Sequence, residues 1–132
     1  MIFIDANVLV AYYNIRDALH EKAIALMQRI LANEYGTAVI SDYIFNEALT
    51  VTQLRAKDRS KVVALGSLLL SSRIRIVKIN SVLFQEAWSL FQKNNMSFTD
   101  CTNLAVLSMF SASSIATFDE EFKRIPRITV VQ

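Results

Sequence analysis

Four acids in this 132-residue chain fall where a carboxylate can do chemistry. Asp5 directly follows Ile2-Phe3-Ile4, an apolar run of the kind found in strands buried on both faces of a parallel sheet. A carboxylate at the end of such a strand must be paired, protonated or metal-bound. Asp119 stands two residues beyond a second apolar stretch, Ser114-Ile115-Ala116-Thr117. Asp100 lies in the first turn of a helix expected to start behind Thr99, and Glu47 about two turns into a helix opening after Ser41. Ligands of open parallel sheets bind beyond the carboxyl ends of the strands. Four acids from four separate segments can therefore converge on one edge. They would repel one another unless a cation were bound, and oxygen-only ligation suits hard ions such as Mg²⁺ or Mn²⁺. Metal-assisted hydrolysis of a phosphodiester is the natural chemistry of such a set.

Each acid also has an ordinary structural use. Asp100 can complement a helix dipole, Asp119 can cap the turn Glu120-Glu121-Phe122, and Glu47 can sit on a solvated helix face. Their convergence carries the functional reading. Nearby polar side chains can orient ligands or a water: Asn7, two residues after Asp5; Asn103, on the same helical face as Asp100; and Thr117, two residues before Asp119. Caps and turns are an equal use for Asn7. Composition removes the competing chemistries. One cysteine forms neither an internal disulfide nor a thiolate metal cluster, and one histidine, His20, makes no multi-histidine site. Two glycines, Gly36 and Gly66, leave no glycine-rich phosphate loop. His20 and Cys101 are expected in structural or solvent roles.

The elements that must position these residues alternate between short apolar runs and helical patterns. Strands are expected at Ile2–Ile4, Thr37–Ile40, Ile74–Ile79, Ser114–Thr117 and Ile128–Val131, with charged residues marking the third as lying near water. Helices are expected behind Asp17 as an N-cap, after Ser41, over Ser60–Ser71, from Ser81, and from Asp100 to about Ser111. This alternation argues for an α/β fold in three α/β/α layers around a mostly parallel sheet of about five strands. No repeat, linker or low-complexity segment divides residues 1–132, so one domain is expected. No window approaches the ~18–20 apolar residues of a membrane span. The start Met1-Ile2-Phe3-Ile4-Asp5 lacks a secretory pattern, so a cytoplasmic location is expected.

These residues carry a family resemblance. Ile2-Phe3-Ile4-Asp5-Ala6-Asn7-Val8-Leu9, Ser41-Asp42-Tyr43-Ile44-Phe45-Asn46-Glu47, Ser97-Phe98-Thr99-Asp100-Cys101 and Ala116-Thr117-Phe118-Asp119-Glu120-Glu121-Phe122 occur in the order and at about the spacing of PIN-domain ribonucleases. The chain most resembles the small VapC-like toxins of prokaryotic toxin–antitoxin pairs. The resemblance implies a PIN-like parallel sheet, an acidic pocket holding Mg²⁺ or Mn²⁺, and endonucleolytic cleavage of RNA. Asp5, Glu47, Asp100 and Asp119 match its acids, Asn7 a small polar position and Thr117 a hydroxyl position. Many members carry a further acid near Asn103, where this chain has an amide. A homodimer and an antitoxin partner are implied as well. The rival readings are a catalytically silent PIN-like adaptor for RNA or protein, and a phosphatase with an aspartyl nucleophile. The phosphatase would usually place a second Asp where Asn7 stands.

Net charge is +2, from 14 basic and 12 acidic side chains. Setting aside the four site acids leaves 14 basic against 8 acidic, a net of +6. Clusters at Arg55-Lys57-Arg59-Lys61, Arg73-Arg75-Lys78 and Lys123-Arg124-Arg127 can line a path for an RNA backbone or serve as solvated faces. The hydrophobic fraction of 53% is high for a soluble domain. It leaves Leu65, Leu68, Leu69, Phe84, Trp88 and Phe91 as candidates for a dimer or antitoxin surface.

Overall fold

The computed structural model describes residues 1–132. Strand β1 (Ile2–Ile4) is wholly buried, and Asp5 ends it by capping helix α1 (Ala6–Tyr13), its side chain accepting from the Ala6 amide at 2.8 Å. Helix α2 (His20–Leu31) leads to strand β2 (Ala38–Ser41), and the Ser41 hydroxyl caps helix α3 (Asp42–Ala56) at the Ile44 amide. Helix α4 (Arg59–Ser71) starts on an Asp58 cap and is followed by strand β3 (Arg75–Val77). Helix α5 (Ser81–Phe91) is capped by Asn80 and helix α6 (Phe98–Met109) by Ser97. Strand β4 (Ser114–Ala116), a 3-10 turn at Glu120–Arg124 and strand β5 (Thr129–Val131) complete the chain.

All five strands are parallel, in the order β3-β2-β1-β4-β5. Helices cover this central sheet in an α/β/α arrangement, with α1 against α2 and α3, α3 against α4, and α5 against α6. β1 is central because its three residues are apolar on both faces, whereas Arg75 leaves edge strand β3 exposed on one side. Gly66 lets α4 approach α3 closely: a Cβ there would lie 3.3 Å from a Leu49 methyl. No helix is long and apolar enough to cross a membrane.

Three local expectations differ from the structure. Helix α1 was not expected, because Ala6–Tyr13 is apolar nearly all round and shows no amphipathic period. Asp17 does not cap α2 directly; its carboxylate accepts from the Leu19 amide at 2.9 Å in the turn before the helix, which begins at His20. Ser97 rather than Thr99 caps α6, because an acid three residues on allows a reciprocal capping box.

The strand order reverses at β1: β2 and β3 lie on one side of it, β4 and β5 on the other. Ile4 pairs with Ala116, and the Asp5 amide donates to the Ala116 carbonyl at 3.0 Å. Asp5 and Thr117 are therefore neighbours one step beyond the last paired residues, in the crevice where parallel sheets bind ligands.

Candidate active site

The centre of the crevice is a hydrogen-bonded group spanning both ends of the chain. Asp5 is 5% exposed, and both of its oxygens are engaged. Oδ1 accepts from the Ala6 amide, while Oδ2 accepts from Asn7 Nδ2 at 2.8 Å and Thr117 Oγ1 at 2.7 Å. Asn7 Nδ2 also donates to Thr117 Oγ1 at 3.1 Å, and Asn7 Oδ1 accepts from the Phe118 amide at 3.1 Å. The Asp119 amide donates to Thr117 Oγ1 at 3.0 Å. Asn7 is thus more than a turn residue, since it ties α1 to the segment after β4.

The other acids approach from three further elements. Glu47 is half-buried on α3. Asp100 is N3 of α6: its Oδ2 accepts from the Ser97 amide at 3.2 Å and hydroxyl at 2.6 Å, and its own amide donates to Ser97 Oγ at 3.1 Å. Asp119 caps the 3-10 turn, with Oδ1 accepting from the Glu121 amide at 2.8 Å. The ordinary structural uses are therefore real, and three of the four acids combine them with a place at the crevice.

The Asp5 pKa is raised to about 6: burial is the largest cause, the charges of Asp100 and Glu47 add to it, and the Thr117 and Ala6 hydrogen bonds oppose it. Burial and then Asp100 raise Glu47, with no hydrogen bond to offset them. Burial raises Asp100 too; Ser97 opposes this and Asp119 adds to it. The acids thus lie within electrostatic reach of one another across the four elements.

No three of them converge tightly enough to form a ready-made cation cage. The donor set nevertheless suits a hard divalent ion: it is all oxygen, carboxylate-rich, and carries charge that burial and mutual repulsion disfavour. Glu47 separates two clefts. One, of about 340 Å³, includes Asn7, Val10, Val51 and Arg55; the other, of about 490 Å³, includes Tyr43, Asn46 and Thr99.

Asn103 is fully buried one turn beyond Asp100, and neither of its amide atoms has a hydrogen-bond partner in the protein. Ser97 is the positioning residue that sequence reasoning missed, although Ser97-Phe98-Thr99-Asp100 carries the capping-box spacing. His20 Nδ1 lies 2.8 Å from the Ala11 carbonyl and links α2 to α1, and Cys101 is buried with its thiol pushed up by burial and by Asp100. Leu65 and Leu69 belong to the core at 1% and 3% exposure, so they are not surface residues. Leu68, Phe84, Trp88 and Phe91 are exposed, and the Phe84 and Phe91 rings meet Phe98 at 5.1 and 6.0 Å. Among the basic clusters, Arg55 pairs with Asp17 at 2.9 Å, Lys123 with Glu120 at 2.8 Å, and Lys78 lies 4.0 Å from Asp42.

The chain is thus a five-stranded parallel α/β/α domain with mutually interacting carboxylates near the point where the strand order reverses. The PIN domain model matches residues 2–128, and the chain belongs to that family. VapC20 of Mycobacterium tuberculosis, a toxin that cleaves the sarcin–ricin loop, is 26% identical over 93% of each chain, with a TM-score of 0.80. A toxin–antitoxin complex from Klebsiella pneumoniae is 18% identical, covers 100% of this chain and 97% of its own, and gives a TM-score of 0.70. VapBC2 of Rickettsia felis, bound to a DNA fragment from its promoter, is 18% identical with a TM-score of 0.68, over 99% of this chain and 98% of its own. No curated protein matches the sequence.

Proposed function

We propose that residues 1–132 form one nuclease domain that hydrolyses RNA phosphodiester bonds endonucleolytically with Mg²⁺ or Mn²⁺. The observation carrying this reading is the buried Asp5 carboxylate that Asn7 and Thr117 hold beyond the strand ends in a chain of the PIN family, with Glu47 and Asp100 near enough to raise its pKa. Asp5 and Asp100 would hold the principal ion, with Glu47 acting directly or through a water and Asp119 serving a second ion or the attacking water. When bound, such an ion supplies a water of lowered pKa and offsets charge developing on the phosphate oxygens.

The chain's own residues do the positioning. Thr117 and Asn7 fix the Asp5 carboxylate from β4 and α1, and Ser97 holds one oxygen of Asp100 while leaving the other free of the capping box. Asn103 adds an uncommitted amide one turn away. By the likeness to VapC20 and to the toxin–antitoxin complexes, the protein acts as a cytoplasmic toxin held by a cognate antitoxin. The exposed Phe84, Trp88 and Phe91 of α5 support a homodimer face.

RNA cleavage in Mg²⁺, with and without EDTA, tests the activity. Wild type should cleave only without EDTA, and a folded Asp5→Asn protein should lose cleavage; an equal rate in that variant would sink the assignment. The rival reading, a silent adaptor, predicts no binding heat in calorimetric titration with Mn²⁺, whereas the nuclease reading predicts binding.

A further inference from the structure

A cavity of about 480 Å³ opens beside α1 and α3, with Tyr13, Arg16, Thr52, Arg55 and Lys61 on its walls and no acid among its lining residues. It shares Val10 and Arg55 with the cleft that contains Asn7 and Glu47. The two clefts therefore adjoin at a shared wall, with Glu47 and Asp17 on the side of the smaller cleft and Arg16 and Lys61 on the other. Along α3, Glu47, Val51 and Arg55 follow on successive turns, so Arg55 lies roughly 12 Å from Glu47 on the helix axis.

The three cations come from separate elements. Arg16 is in the turn after α1, where its amide donates to Asn14 Oδ1 at 3.1 Å; Arg55 ends α3; and Lys61 is in the first turn of α4. Arg55 is fixed by its 2.9 Å ion pair with Asp17, whereas Arg16 and Lys61 form no ion pair. Two cations without an ion pair and one anchored cation thus line a concavity that adjoins the cleft containing Glu47. A strand with one phosphate in the acidic crevice meets strong repulsion there, and neighbouring phosphates are drawn to the nearest concentration of positive charge.

We infer that this pocket binds backbone phosphates of the RNA strand, roughly two to four nucleotides from the cleaved bond given the helix distance and phosphate spacing. Arg16 and Lys61 supply the phosphate contacts, Arg55 holds the wall, and Tyr13 offers a ring beside the strand. The sequence clusters grouped Arg55 with Lys61 but omitted Arg16, which only the turn after α1 brings alongside. This assignment rests on the nuclease reading above.

The test compares wild type, an Arg16→Gln/Lys61→Gln double variant and a Lys22→Gln control whose cation lies on α2. On a long single-stranded RNA the double variant should raise KM about 5- to 20-fold with kcat within about twofold. Its log(kcat/KM) should depend less steeply on log[salt], by roughly 0.7 per lost contact. Shortening the RNA from the end that reaches the pocket should abolish the difference, and Lys22→Gln should match wild type throughout. Anisotropy titration of the same RNA in EDTA reads binding without cleavage. Weaker binding by the double variant supports the pocket even if the nuclease reading fails. Equal RNA binding and equal salt slopes overturn the proposal. So does an effect confined to association with an acidic protein partner, which would make this a protein-docking pocket.

Discussion

Thr117 Oγ1 donates to Asp5 Oδ2 at 2.7 Å, joining residues 112 positions apart at the carboxyl ends of adjacent strands. The same hydroxyl accepts from Asn7 and from the Asp119 amide, so one buried oxygen holds three parts of the crevice. Thr117→Val keeps the shape and removes that oxygen. It should lower stability by about 1–3 kcal/mol, because the groups left behind remain buried. It should also raise the Asp5 pKa further, because this hydrogen bond pulls it down. Chemical denaturation measures the first effect and NMR titration of the Asp5 carboxyl the second, and Thr117→Ser should restore both.

The raised Asp5 pKa makes metal-free stability depend on pH. From the ordinary value of 3.8 to about 6, the folded state holds a proton that the unfolded state has released. Stability is therefore full below that window and falls as pH climbs through it, by on the order of 2–3 kcal/mol for this group. Glu47 and Asp100 shift the same way and add to the slope. Asp5→Asn should flatten the decline without abolishing it. Urea midpoints of chelator-treated protein between pH 4 and 7 check this, and a slope as steep as wild type would count against the Asp5 assignment.

Ser97 separates a helix cap from a tuned carboxylate. Ser97→Ala should cost about 1 kcal/mol for the lost cap. It also removes the hydroxyl donor to Asp100 Oδ2, a hydrogen bond that lowers the pKa of that acid, while the backbone amide of residue 97 can still donate. The acid limb of the RNA-cleavage pH profile should then move to higher pH, while Ser97→Thr should retain the wild-type profile. A stability loss without movement of the limb would leave Ser97 a cap and nothing more.

What the sequence made legible follows from which forces are local. The apolar run Ile2-Phe3-Ile4 and the acid behind it can be read directly, because a strand buried on both faces has no polar positions to confuse the pattern. Asp5 as cap of α1 could not, since Ala6–Tyr13 lacks the polar face that marks most helices. The pairing of Ile4 with Ala116, which brings Thr117 to Asp5, depends on strand order and so on tertiary packing. Leu65 and Leu69 look like surface candidates beside Leu68 on one helix, but α4 turns those two into the core. Arg16 was invisible as a partner of Lys61 because nothing in the intervening 44 positions brings them together except the packing of α1, α3 and α4.

Asn103 is the residue where stability and function are expected to part. Cys101–Leu107 of α6 are all buried, and the Asn103 amide lies among them with neither atom hydrogen-bonded in the protein. An unsatisfied buried amide costs about 1–3 kcal/mol, so Asn103→Leu, which keeps the branch point and the number of side-chain heavy atoms, should stabilise metal-free protein by up to about that amount less the cost of fitting its bulkier methyl groups. A side chain kept at such a cost one turn from Asp100 has a polar task there, so the same change should weaken Mn²⁺ binding by roughly 10–100-fold. Thermal denaturation in chelator and calorimetric Mn²⁺ titration read the two effects separately. Higher stability with unchanged Mn²⁺ affinity would remove Asn103 from the site, whereas lower stability would mean that its amide is satisfied in solution and belongs to the core.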